Sequence, residues 1–77
     1  MARPLDEIAR EIIHNWRPVN YAALPYLGAM RCLTSIDEDY GADSARSVVL
    51  YFLSNASTWR GEVAKRVKAE LKAMIKR

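Results

Sequence analysis

Toward the C-terminal end, Trp59, Val63, Val67, Leu71, Met74 and Ile75 recur at steps of three and four, the spacing that gathers side chains onto one stripe of an α-helix. Such a stripe has to be covered, so the rest of the chain must supply matching amphipathic elements. Leu5, Ile8, Ile12, Ile13 and Trp16 have the same spacing, with Asp6, Glu7, Arg10, Glu11, His14 and Asn15 opposite. Pro4 suits a first helical turn, Asp6 and Glu7 favour the positive end of the dipole, and Pro18 disfavours helix through Arg17. A first helix is predicted over Pro4 to Trp16.

Between Asn20 and Ile36, Pro25 removes a backbone donor and is best placed in a first turn. Ala23, Tyr26, Leu27, Met30 and Leu33 then share one face, with Gly28, Arg31 and Ser35 turned away, and the second helix runs from Ala22 or Leu24 to Ser35. The polar run from Asp37 to Ser44, with Gly41 at its centre, reads as a loop, and Asp43 or Ser44 can cap the next helix. Between Ala45 and Ala56 apolar residues cover most of the circumference, leaving a narrow strip around Ser47 and Ser54, so this third helix is expected to be central and the most buried. Its Val48–Leu53 centre also fits a strand, but the flanking Ala, Ser and Arg and the lack of a hairpin partner favour helix. Ser57 or Thr58 is the expected N-cap of a fourth helix running from Trp59 to the end.

The segments join through short connections, with no repeat or linker to divide them. The predicted fold class is all-α: a compact single-domain bundle over residues 1–77, of four helices or of three and a short one. A composition of 51% hydrophobic and 27% charged residues is that of a folding chain rather than a disordered one. Burial of only roughly 60 to 65% of the unfolded surface at this size leaves a thin stability margin.

Cys32 is the single cysteine and cannot close an intramolecular disulfide, which points to a reducing, cytoplasmic setting. Met1 to Glu7 lack the apolar core of an export signal. The longest apolar run, Val48 to Leu53, falls far short of the roughly 20 residues of a membrane span, so no membrane association is expected.

Charge is unevenly spread. From Trp59 onward seven basic residues face only Glu62 and Glu70, although the whole chain carries a net charge of +3. On an ideal helix Glu62, Arg66 and Glu70 form a ladder expected to neutralise itself. Lys65, Lys68, Lys72 and Lys76 form a second row about 12 Å or more long, without an acid. That row is a candidate surface for phosphates or an acidic partner, or a solubilising coat. The third and fourth helices also resemble, weakly, a helix-turn-helix presenting Arg60 to DNA.

Asp37, Asp39, Gly41 and Asp43 alternate, but Gly41 and Val48 stand where a calcium loop needs an oxygen ligand and a glutamate, which leaves an acidic turn. His14 has no second imidazole for zinc and is expected at the surface, and Cys32 reads as a small packed side chain in the second helix rather than a nucleophile. With no glycine-rich phosphate loop, nucleophile elbow or metal-binding cysteine pair, neither an enzyme nor a cofactor is expected. Seven aromatic residues are many for so small a core, and Tyr40, Tyr51 and Trp59 are the candidate anchors of a protein interface.

The run Tyr40-Gly41-Ala42-Asp43-Ser44-Ala45-Arg46-Ser47-Val48-Val49-Leu50-Tyr51-Phe52-Leu53-Ser54-Asn55-Ala56-Ser57-Thr58-Trp59-Arg60-Gly61, together with Ile8-Ala9-Arg10-Glu11-Ile12 and Pro25-Tyr26-Leu27, resembles small proteins encoded by tailed bacteriophages and prophages. The resemblance carries over no activity and no functional residue. It implies a phage accessory protein acting in the bacterial host cytoplasm, and leaves open whether its target is a host protein, a phage protein or nucleic acid. The expected function is a non-enzymatic protein–protein interaction module, the alternative a nucleic-acid binder using the basic C-terminal helix. Self-association is a further expectation, because the third helix carries more apolar surface than four helices can cover.

Overall fold

The computed structural model describes residues 3–76. Among these, four α-helices and one small two-stranded ribbon follow in the order α1 (Leu5–Asn15), α2 (Leu24–Met30), β1 (Asp39–Tyr40), β2 (Asp43–Ser44), α3 (Ala45–Ser54) and α4 (Glu62–Ile75), with a 3-10 turn, Tyr21–Ala23, leading into α2. The helices form a ring in which α1 borders α2, α2 borders α3, α3 borders α4 and α4 returns to α1. The fold is mostly helical but not purely all-α.

Helix α1 buries Leu5, Ile8, Ala9 and Ile12. The Pro4 carbonyl accepts the amides of Glu7 and Ile8, and the Leu5 amide donates to the Thr34 carbonyl at 3.1 Å, tying the start of the helix to the segment after α2. At its end Trp16 is extended (φ −94°, ψ 98°), followed by a cis Arg17–Pro18 bond. The proline predicted to stop the helix stands just beyond the stop.

Helix α2 has Pro25 in its first turn, as predicted, after a turn in which the Asn20 side chain accepts the Ala22 amide at 2.9 Å. It ends at Met30, however, not at Ser35. The amides of Cys32 and Leu33 reach back only three residues, to Ala29 and Met30, which tightens the last turn. Beyond them Glu38 takes the amides of Thr34 and Ser35 and the Thr34 hydroxyl. A carboxylate offering three acceptances draws these residues out of the helix. Leu33 stays buried, while Cys32 is exposed beyond the helix instead of packed within it.

The acidic loop contains the ribbon. Asp39 pairs with Ser44 and Tyr40 with Asp43, antiparallel. Gly41, with φ 61°, is the first of the two central residues, where short hairpin loops use a positive φ to match the twist of their strands. The Ser44 side chain then caps α3 by accepting the Ser47 amide at 3.1 Å, one of the two caps predicted.

Helix α3 buries Ala45, Val48, Val49 and Phe52, but Leu50 and Tyr51 are each 50% exposed. In a ring of four, α3 is one wall and not a central rod, so its outer side has no neighbour. Helix α4 starts at Glu62, three residues later than predicted. Ser57 and Thr58 lie exposed in a turn closed by the Trp59 amide on the Ala56 carbonyl, and Gly61, at φ 112°, takes the N-cap position.

That displacement places Trp59, which is 2% exposed. Its ring stacks on Trp16, centroids 5.6 Å apart and planes 13° from parallel, and Trp16 meets Phe52 edge-on at 6.3 Å. The Trp59 indole N–H donates to Asn15 Oδ1 at 2.8 Å. Burying two tryptophans face to face joins the end of α1, the last turn of α3 and the entry to α4 in one cluster.

Two outcomes are expected. Amides of Val48 to Phe52 should exchange with deuterium more slowly than those of Asp37 to Ser44, because the latter lie outside the helices on exposed residues; equal rates would contradict the layout. In urea unfolding, Asn15→Ala and Trp59→Phe should each destabilise by about 1 kcal/mol or more, and the double variant by less than their sum, because both remove one N–H···O bond. Full additivity would mean that the bond contributes nothing.

Candidate functional site

Helix α4 has two flanks beside its buried stripe of Ala64, Val67, Leu71 and Met74. One carries Arg66 and Glu70 and is zipped to α1. Arg66 bonds Glu11, and Arg3 donates two hydrogen bonds to Glu70, at 2.7 and 3.0 Å, with its Nη2 also 2.8 Å from Glu11 Oε1. The predicted ladder of Glu62, Arg66 and Glu70 therefore does not neutralise itself along the helix. Arg66 pairs instead with Glu11 on α1, and Glu70 with Arg3 just ahead of that helix.

This network shifts the titration of its members. Arg66 first, and Arg3 with it, hold the Glu11 carboxyl below its ordinary range against a desolvation acting the other way, and Glu70 raises the Arg3 guanidinium further. Glu38 is lowered by the amides of Thr34 and Ser35 and the Thr34 hydroxyl. Both carboxyls bind a proton less readily folded than unfolded. Their contribution is complete above the ordinary value of 4.5 and is lost as pH falls through the lower folded values. Glu11→Gln should flatten the fall of the urea midpoint in acid, by under about 1 kcal/mol because the pair is partly solvated. An unchanged acid profile would mean that Glu11 has no preferential folded-state pairing.

The other flank carries the lysine row. Lys65, Lys72 and Lys76 are exposed, and among the described residues none forms a salt bridge. Lys68 is different. Its Nζ donates to the Trp59 carbonyl at 2.6 Å and lies 6.0 Å from the Trp59 ring centre. Desolvation, then Lys72 and Arg60, lower its pKa. The row predicted as four free cations is thus three, with the fourth holding the entry of α4.

Lys72 and Lys76 rim a shallow trough of about 350 Å³ along the α3–α4 seam, whose apolar lining is Leu50, Leu53 and Ile75, with Ser54 beside them. Arg46, in the first turn of α3, donates to the Ile75 carbonyl at 2.8 Å, which ties the start of α3 to the end of α4.

Of the three candidate anchors, Tyr51 is half exposed next to Leu50 and packs on the half-buried Tyr26, ring centres 5.6 Å apart. Tyr40, 43% exposed, stands on β1 away from that pair. Trp59 offers almost no surface, because it is 2% exposed, one face of its ring stacks on Trp16 and its N–H is taken by Asn15. Sequence reasoning missed Leu50, Leu53 and Ile75, since each read as core. Tyr21 and Leu24 are also exposed, on the entry to α2, but line none of the clefts described here.

A second cleft, about 450 Å³, lies between Arg3, residues 34–37, Arg46 and Met74. Its arginines already face carboxylates, Arg3 those of Glu70 and Glu11 and Arg46 that of Asp37, so it presents no free cation. Among the described residues no cluster of three or more His, Cys, Asp or Glu is placed to hold a metal, and no helix is long and apolar enough to cross a membrane. His14 is exposed on α1. Comparison with protein-family models, with curated proteins and with solved structures finds no match.

Proposed function

We propose that this chain is a non-enzymatic protein–protein interaction module whose contact surface is the outer face of α3 with the α3–α4 trough. The observation that carries the reading is the pair Leu50 and Tyr51, side by side and each 50% exposed on a helix whose other side is core. Tyr26 extends them on one side, and Leu53 and Ile75 on the other. Adjacent large apolar side chains left open to water on so small a protein are the ordinary mark of a partner surface. The resemblance to phage-encoded proteins supports placing the module in a bacterial host cytoplasm, with a host or phage protein as partner.

A second reading, nucleic-acid binding, has the exposed Lys65, Lys72, Lys76 and Arg60 in its favour. Two of these cations border apolar side chains, which a phosphate backbone cannot cover. That surface fits a protein better.

The two readings separate in one experiment. A photo-crosslinking residue in place of Tyr51 should capture a specific protein from host lysate after nuclease treatment, the same residue in place of the exposed His14 should not, and Leu50→Asp should abolish the capture. Recovery that disappears with nuclease and depends on Lys65, Lys72 and Lys76 would instead establish the nucleic-acid reading.

A further inference from the structure

We propose that the α3–α4 trough takes an amphipathic helix of another protein, one that carries acidic side chains along one flank of its apolar stripe. This rests on the interaction-module reading and specifies its occupant.

Shape is the first ground. The floor is apolar, built by Leu50 and Leu53 of α3 and Ile75 of α4, and the trough lies open along the seam of the two helices instead of closing into a cavity. Helix α3 has ten residues, or about 15 Å at the helical rise, room for about three turns of a helix laid along it. A helix in a groove uses anchors at i, i+3 or i+4 and i+7, and a floor of spaced leucine and isoleucine side chains suits that pattern better than an extended strand, for which there is no open sheet edge here.

Charge is the second ground, and it chooses among occupants. Lys72 and Lys76 stand four residues apart on the α4 rim, and no acidic side chain lines the trough. On the α3 side the lining residues Leu50, Leu53 and Ser54 are uncharged. The asymmetry calls for a partner with acids on one flank only, spaced one turn apart to meet the two lysines. A second copy of this chain does not answer it, because a two-fold contact through this face would bring Lys72 and Lys76 against their own equivalents. None of the chain's acids lines the trough: Asp39 and Asp43 lie on the hairpin, and Glu11 and Glu70 are paired with Arg3 and Arg66. A nucleic acid would satisfy the lysines and leave the apolar floor uncovered.

The test is fluorescence anisotropy of the full chain with three labelled peptides of one length: an amphipathic helix with leucine anchors and a glutamate flank, the same peptide with lysines for the glutamates, and a scramble of the acidic one. The acidic amphipathic peptide should bind, weakening as salt rises, and the lysine peptide should bind about tenfold or more weakly, the effect of two rim ion pairs in partly apolar surroundings. The double charge reversal Lys72→Glu with Lys76→Glu should invert the order of the two peptides. Leu50→Asp, at an exposed position and checked for unchanged helicity by circular dichroism, should lose both. Equal binding of acidic and basic peptides, or of the scramble, overturns the proposal. So does a wild-type dimer in sedimentation that Leu50→Asp dissociates, which would assign the trough to a second copy, and so does lysine-dependent binding of a labelled DNA duplex with no peptide bound. If the Tyr51 crosslink to a host protein forms while the peptides fail to discriminate, the module reading stands and the acidic-helix occupant falls; if neither forms, both fall.

Discussion

The stack of Trp59 on Trp16 is the contact on which the remaining geometry depends. The two residues lie far apart in the chain, and bringing their rings to 5.6 Å closes α1 against the α3–α4 connection in one step. Its consequences are local and specific. Trp16 must leave α1 in an extended conformation to present its face, and Trp59 must stand outside α4, which defers the start of that helix to Glu62 and puts a positive-φ glycine at Gly61. Once Trp59 is fixed, its carbonyl accepts from Lys68 and its indole N–H donates to Asn15, so the same residue is tied to α4 on one side and to α1 on the other.

With the start of α4 fixed, its rotation decides which flank faces which neighbour. The apolar stripe sets that rotation coarsely, since hydrophobic burial is non-directional. The ion pairs from Arg66 to Glu11 and from Arg3 to Glu70 refine it. Exposed or half-exposed pairs contribute little energy, typically under about 1 kcal/mol each, but they are directional and match only one pairing of α4 with α1. The outcome is a helix with its mixed-charge flank consumed internally and its lysine flank turned toward α3 and solvent. The surface charge of the protein thus follows from the arrangement of its core.

Much of this fold was legible because it rests on local chemistry. Pro25 could sit only in a first turn, Ser44 could accept amides ahead of an apolar run, and Gly41 marked a turn between polar residues; all three stand where those constraints put them. Trp59 shows the limit. Its step of four to Val63 satisfies the helical period, yet periodicity cannot tell a residue on the helix from one just before it that packs into the same core, and the tertiary stack overrode the cap signal of Ser57 and Thr58. Helix α2 ended early for a comparable reason, since Glu38 competes for the amides of Thr34 and Ser35 only after the chain has turned back. The hairpin was hidden because a ladder of two residue pairs has no alternation to read. At the candidate site the lysine row could be read from spacing alone, whereas the capture of Lys68 by a backbone carbonyl and the opening of Leu50 to solvent depend on where the neighbouring helices are.

The exposure of Leu50 and Tyr51 follows from chain length as much as from their own nature. Helix α3 is apolar over most of its circumference, and a ring of four helices can cover only the side that faces inward; the described residues hold no fifth α-helix for the other. An uncovered apolar strip on a small protein invites self-association, and burying it would normally fall to a second copy. Here the rim of that strip is lined by Lys72 and Lys76 with no acid within the trough, so an identical surface would bring those cations no counter-charge. On the proposed reading the same two cations favour an acidic surface, and one electrostatic arrangement bears on both contacts.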